Sequence, residues 1–426
     1  MQSSDGNMLA DMSVGMPPLS LEIAEPPAGD EEIFATLFNP AAREFLARTV
    51  AVFDAEVDSL VQRRQLTRLQ MEMSGSLPTF AAATAAEENP PPAADWRISP
   101  VPERLRRRHI DIGDVSPADT ERLARCLASA ADGVQVDFDD GHCPTWHNQL
   151  VGWHNILLAV AGRLPGGPPS LADAAAPVMM LRPRAWNMTE NRVLVGGRAA
   201  PGPLVDFALI MFHVGVELFN MGAGPFFYLS KLESAQEARL WNDIFLYVEA
   251  QLALPVGAVR SCVLIENILA AFQLDGILWA LRDHSAGLNC GLWDYSASII
   301  SSFGHRAAFL LPDRKKYVSM ERPFLDAYLR LVVQAAHARG APATGGMAAV
   351  ILAPGETARR AEQVAAVMAA KRREIAAGVA GFLVYDQGLV EPARRLWAEF
   401  ASAPSVPSSD VITADDLLTL PKAKER

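Results

Sequence analysis

Val263-Leu264-Ile265-Glu266-Asn267 and, further on, Arg282-Asp283-His284-Ser285-Ala286-Gly287-Leu288-Asn289-Cys290-Gly291-Leu292-Trp293-Asp294-Tyr295 decide how the rest of the chain is read. Arg260 to Ile265 is a short run rich in Val, Leu and Ile that runs into an acid. A buried parallel strand delivers one charged side chain to its open end in this way. A helix-compatible segment follows from Ala270 to Arg282, and a second, glycine-punctuated run then ends on Asp294. Two carboxylates, each presented after its own strand, suit one Mg²⁺, which takes one or two carboxylates and leaves positions open for substrate oxygens. The competing reading is a pair of solvated loop acids, because charged side chains are mostly exposed.

Outward from this stretch the pattern repeats. Strand-like runs occupy 133–138, 177–181, 225–229, 260–265, the region around 286–292, that near 308–311, 343–350 and 380–385. Helical periodicity fills 205–220, 236–252, 270–282, 323–339, 357–377 and 388–400. In 357–377, Ala361, Val364, Ala365, Met368 and Ile375 form one face and Arg, Lys and Glu the other. Alternating strands and helices mean a parallel sheet, and eight such units in about 250 residues predict an α/β fold, a (β/α)₈ TIM barrel spanning 133–404. Such a barrel places its chemistry at the C-terminal ends of strands, where Glu266 and Asp294 fall.

Ahead of the barrel, 1–29 is expected to be disordered, and 30–73 is an N-terminal helical arm with Phe34, Leu37, Phe38, Phe45, Leu46, Val50 and Phe53 at helical spacing. Residues 74–94 are an Ala/Pro-rich flexible connector, 95–132 lead into the barrel, and 405–426 form a C-terminal tail. Arg104, Arg106, Arg107 and Arg108 read as a solvated helix-terminal face rather than a phosphate patch. A net charge of −11 argues against a nucleic-acid partner. No uninterrupted apolar run reaches membrane-span length, so no membrane partner is expected. Cys126, Cys143, Cys262 and Cys290 lack metal or disulfide spacing and read as reduced thiols of a cytoplasmic protein.

The 282–295 run resembles the signature of the malate synthase family. Phe38-Asn39-Pro40, Arg43-Glu44-Phe45-Leu46, Asp95-Trp96-Arg97-Ile98-Ser99-Pro100-Val101-Pro102 and Leu181-Arg182-Pro183-Arg184-Ala185-Trp186 are similar to further family segments. The resemblance implies a Claisen condensation of acetyl-CoA with glyoxylate on the same barrel fold, with Mg²⁺ held by Glu266 and Asp294. It further implies substrate contacts from Gly291, Leu292 and Trp293, and from Gly345-Gly346-Met347. The resemblance also gives Arg182 the role of binding and polarising the oxyanion, where a fixed, always-charged guanidinium serves better than an amine. Arg184 is a salt-bridge partner; Lys231 and Glu233 are charges supporting Arg182 and the metal acids; His284 braces the loop that carries Asp294. Asp137-Phe138-Asp139-Asp140 and Pro144-Thr145-Trp146 belong to the same rim, and Leu311-Pro312-Asp313-Arg314 lies toward the CoA arm. His142, His147 and His154 read as loop and helix residues rather than metal ligands.

The chain departs from the family pattern at Gly276, Ser230, Leu292 and Tyr385-Asp386. The family's catalytic base stands in a Met-Glu-Asp motif on a C-terminal helical lid, which is expected to be absent here. Val411 to Leu418 resembles only the lead-in to it. Three outcomes follow: a separate polypeptide supplies the lid; Asp386, at the open end of the last strand, substitutes as base; or the barrel keeps lyase, thioesterase or binding chemistry on malyl-CoA-like thioesters. The competing role for Asp386 is a helix N-cap.

Overall fold

Buried apolar runs become strands here wherever both faces are covered, as in Gly133-Val134-Gln135-Val136-Asp137, all of whose residues are buried. The structure is a computed structural model that describes residues 20–85, 91–92, 95–400 and 408–421. Its strands are β1 (Leu21–Ile23), β2 (Ile110–Val115), β3 (Gly133–Asp137), β4 (Val178–Arg182), β5 (Thr189–Val195), β6 (Arg198–Pro201), β7 (Phe226–Leu229), β8 (Arg260–Ile265), β9 (Ser285–Cys290), β10 (Ala343–Thr344), β11 (Met347–Ala348) and β12 (Phe382–Val384). The chain forms two compact units, one of residues 1–65, 113–230 and 240–261, the other of 66–112, 231–239 and 262–426.

In the first unit β3 pairs in parallel with β4 from Gly133↔Val178 to Asp137↔Arg182, and β4 pairs with β7 at Leu181↔Phe227. The crossover after β3 is the helix Trp146–Val160, whose cap Thr145 accepts a hydrogen bond from the Asn148 N–H. A second, antiparallel sheet has the order β1-β5-β6. Its β5–β6 hairpin turns at Gly196-Gly197, both with positive φ, as a two-residue hairpin demands. β1 lies inside the stretch expected to be disordered; Leu21 to Ile23 pair with Val195 to Val193, which orders them. Residues 1–19 fall outside the described residues. The helical arm forms as Glu31–Leu37 and Pro40–Ser74, burying Leu46, Val50, Phe53, Val57 and Leu60 at three- and four-residue spacing. Gly202–Asn220 is long and apolar enough to cross a membrane by length and composition, but 72% of it is buried inside the protein, as a core helix is.

In the second unit β9 pairs in parallel with β10, and β12 pairs in parallel with both β11 and β2. The segment 343–348 is therefore one barrel strand, broken at Gly345-Gly346, whose first half pairs with β9 and whose second half pairs with β12. The barrel sequence also begins earlier than 133, because Ile110, Asp111 and Ile112 of β2 register against Phe382, Leu383 and Val384. The lead-in expected at 95–132 thus contributes a barrel strand. The expected strand near 308–311 is a single 3₁₀ turn, Ala307–Phe309, with Leu310 exposed. The connector contains a short helix, Phe80–Ala85, and 86–90 and 93–94 lie outside the described residues.

Helix Pro323–Ala338 buries Phe324, Leu325, Tyr328, Leu329, Val332, Val333 and Ala336 along one face. Helix Ala358–Ala376 is turned from its expected face. Ala361 and Ala365 are exposed, while Val367, Lys371, Glu374 and Ile375 are buried. The tail forms the helix Ala414–Leu418, started by a capping box at Thr413 and Asp416. It packs on the 323–338 helix with Leu417 fully buried, and Gln334 donates to the carbonyls of Ser408 and Asp410.

Candidate functional site

Glu266 directly follows β8, and Asp294 stands in the first turn of the helix Leu292–Phe303 that follows β9. Glu266 is buried; Asp294 is about half-exposed. Lys231 serves both acids. Its backbone N–H donates to Glu266 Oε1 at 2.8 Å, and its ammonium lies 3.8 Å from Asp294 Oδ2. To do so Lys231 adopts φ +55°, a left-handed conformation uncommon for a residue with a Cβ and found where a site over-determines the backbone. Gly291 completes the cradle: a Cβ there would meet Glu266 Cβ at 2.5 Å and Oε2 at 2.9 Å, so only glycine leaves room for this carboxylate. Ser298 ties the two segments, accepting from the Ile268 N–H at 2.8 Å and donating to the Tyr295 carbonyl at 2.7 Å.

The donor set is all carboxylate oxygen, which suits a hard cation with open positions such as Mg²⁺. No group of three or more His, Cys, Asp or Glu able to hold a metal occurs among the described residues. A cation at Glu266 and Asp294 would therefore complete its shell with water or substrate oxygens. Glu233 is drawn elsewhere: it is salt-bridged to Arg68, and its N–H donates to Glu237 at 3.0 Å. Trp293 is partly exposed and carries the Arg314 guanidinium 5.2 Å over its ring, which ties the 311–314 segment to the Asp294 turn.

Arg182, the last residue of β4, is buried in the other unit among four aspartates. Its Nη2 lies 3.0 Å from Asp139 and 2.6 Å from Asp140, and its Nη1 3.4 Å from Asp137 and 3.6 Å from Asp114. Asp137 also accepts from the N–H groups of Asp139 (2.8 Å) and Gly141 (2.7 Å). Burial pushes the Asp137 carboxyl upward in pKa, against the pull of Arg182. Sequence reading placed 137–140 on the rim; the structure makes these acids the direct partners of Arg182 and adds Asp114, which carried no signal of its own. Arg184 is the salt-bridge residue expected, donating through Nε and Nη2 to Asp206 and through Nη1 to Glu190 at 2.7 to 3.0 Å, all buried. His142 lies between Ser116 (3.0 Å) and the Gln149 amide (3.1 Å), and burial lowers its pKa to about 4. His147 contacts Asp30 at 2.7 Å. His142 and His147 thus each have protein partners.

Three further candidates land in unexpected surroundings. At Gly345 a Cβ would meet Glu374 Oε2 at 1.9 Å, and at Gly346 the Cys290 carbonyl at 2.6 Å. The pair is glycine because protein atoms crowd it. Beneath it the buried Lys371 donates to the Gly346 carbonyl at 2.5 Å and to Glu374 at 2.9 and 3.0 Å. Asn289 donates to the Thr344 hydroxyl at 2.8 Å and the Gly345 carbonyl at 3.0 Å, fixing the same bend; Met347 begins β11. Asp386 is the cap its competing role describes: Oδ1 accepts from the Gly388 N–H at 2.8 Å and Oδ2 from the Leu352 N–H at 2.9 Å. His284 is fully buried just before the first residue of β9, at the opposite end of that strand from Asp294. Lys371 and Glu374 are partners of this glycine pair that sequence reading passed over, because charged positions on a helix carry no mark of what they will reach.

The family described as "Malate synthase, TIM barrel domain" matches residues 178–420. Malate synthase of Myxococcus xanthus is 37% identical over 376 residues, covering 87% of this chain and 68% of that protein. Malate synthase of Streptomyces clavuligerus is 40% identical over 363 residues, covering 82% and 65%. Malate synthase A of Escherichia coli K12 is 35% identical over 381 residues, covering 87% and 68%. The chain spans about two thirds of the length of these relatives. Identity of this degree along most of the chain, on the parallel strands that carry Arg182, Glu266 and Asp294, shows that the chain belongs to the malate synthase family and has its α/β TIM-barrel fold.

Proposed function

We propose that the chain catalyses a malate-synthase-type, Mg²⁺-dependent Claisen condensation of acetyl-CoA with glyoxylate to malyl-CoA, whose thioester water then hydrolyses, giving malate and CoA. The observation that carries this reading is the buried Glu266 beside Asp294, with the left-handed Lys231 holding the one and facing the other. Mg²⁺ bound by these acids supplies Lewis-acid polarisation of the oxoacid carbonyl. The chain's own groups orient the metal acids and stabilise the developing charge. The Lys231 N–H keeps Glu266 oriented through its Oε1. Arg182 presents a guanidinium held rigid by buried Asp137 and Asp139, while Asp140 and Asp114 are the partners that water reaches and an incoming oxyanion displaces. Such a preorganised cation stabilises enolate charge without reorganising. Free thiols at all four cysteines agree with a reducing, cytoplasmic setting.

A second reading is favoured by Asp386, whose oxygens are both engaged by backbone N–H groups. It is cleavage of a malyl-CoA-like thioester, which uses the same metal acids and needs no base at an acetyl methyl group. One assay separates the two: thiol release from acetyl-CoA plus glyoxylate, and from malyl-CoA alone, with Mg²⁺, for the chain and its Glu266→Ala variant. Condensation predicts thiol release in the first mixture that the variant abolishes. Release from malyl-CoA with none from acetyl-CoA plus glyoxylate selects the second reading, and equal rates in chain and variant overturn both.

A further inference from the structure

Tyr295 and Tyr328 are fully buried and stack with ring centroids 3.9 Å apart and planes 15° from parallel. Their hydroxyls have different surroundings. That of Tyr328 donates to the carbonyl of Ile265, the residue before Glu266. The same oxygen interacts with the backbone N–H of Gly291, the residue that cradles Glu266 and opens the helix bearing Asp294. The Tyr295 hydroxyl is buried with no partner among the described residues.

Glu266 and Asp294 ride on separate strands, just beyond the point where strand pairing holds β8 and β9 in register. A cation shared by the two acids needs their spacing fixed to a fraction of an ångström. The Tyr328 hydroxyl meets both strand ends at once, and its ring cannot drift, being stacked on Tyr295 and carried by the helix 323–338 that packs on β9. We propose that Tyr328 is a positioning residue whose hydroxyl sets the spacing of Glu266 and Asp294, with Tyr295 contributing only its ring. The inference rests on the reading that these acids hold a divalent cation.

The test compares the chain with Tyr328→Phe and Tyr295→Phe, each of which keeps the stack and deletes one hydroxyl. Mg²⁺ alone is titrated by calorimetry, and amide hydrogen exchange of 263–267 and 289–295 is followed in the metal-free chain. Tyr328→Phe is expected to raise the Mg²⁺ dissociation constant roughly 10-fold or more, as loss of a group orienting metal ligands does, and to accelerate exchange in both segments. Tyr295→Phe is expected to match the unmodified chain in both. A Tyr328→Phe variant with unchanged affinity and exchange overturns the proposal, as does a Tyr295→Phe variant equally impaired. Should the unmodified chain bind no Mg²⁺, the metal reading fails, and exchange alone decides: acceleration confined to Tyr328→Phe supports the tether, and none overturns it.

Discussion

Asp386 and Glu266 show how two carboxylates at strand ends diverge through their partners. Glu266 receives the N–H of a residue held at positive φ on one oxygen and has the other against the space a glycine leaves. Asp386 receives an N–H on each oxygen and so fastens the 349–353 loop to the end of β12. Asp386→Asn is therefore expected to act on stability. It removes charge-assisted bonds that contribute about 1.5–3 kcal/mol each, yet turnover by the folded protein should fall by less than the about 10²-fold that loss of a general base brings. Urea unfolding alongside the thiol-release assay measures both. A loss above 10²-fold in a variant of unchanged stability would make Asp386 the base after all.

At the scale of elements, helix 358–376 contradicts its own amphipathic pattern because of what it reaches. Lys371 and Glu374 are buried together, and Lys371 ends on the Gly346 carbonyl at the break between β10 and β11. Burial raises the Glu374 pKa, opposed by Lys371. Removing one partner strands a buried charge, which typically costs ~3–5 kcal/mol, whereas replacing both by apolar side chains is often near neutral. Lys371→Met is expected to lower the urea midpoint by that margin, and Lys371→Met with Glu374→Leu to recover most of it. Equal destabilisation in the single and double variants would show that the pair's geometry, rather than its charge balance, holds the glycine bend.

For the whole molecule, metal binding should register as stability. A ligand that binds only the folded state adds about 2.7 kcal/mol at a concentration 100 times its dissociation constant. Mg²⁺ should raise the thermal midpoint, EDTA should reverse the shift, and Glu266→Ala should show none. A shift that survives in Glu266→Ala would place the cation elsewhere.

How much of this was legible before folding depends on the range over which each feature is fixed. Strand–helix alternation is local, so the barrel pattern, the position of Glu266 just beyond β8 and that of Asp294 after β9 could be read from residue order. The acidic strand at 111–114 is legible as a strand, but its place in the barrel is not, because that rests on pairing with β12 far along the chain; β1 is not legible because three residues gain order only through pairing with β5. The burial of Lys371 and Glu374, the four aspartates around Arg182 and the double duty of Lys231 involve partners far apart in sequence. The sequence by itself determined which residues stand at the strand ends, since hydrophobic periodicity and turn residues act over a few positions. Only the tertiary structure decided which acids face a lysine, an arginine or a backbone N–H, because burial and electrostatics depend on neighbours that meet only on folding.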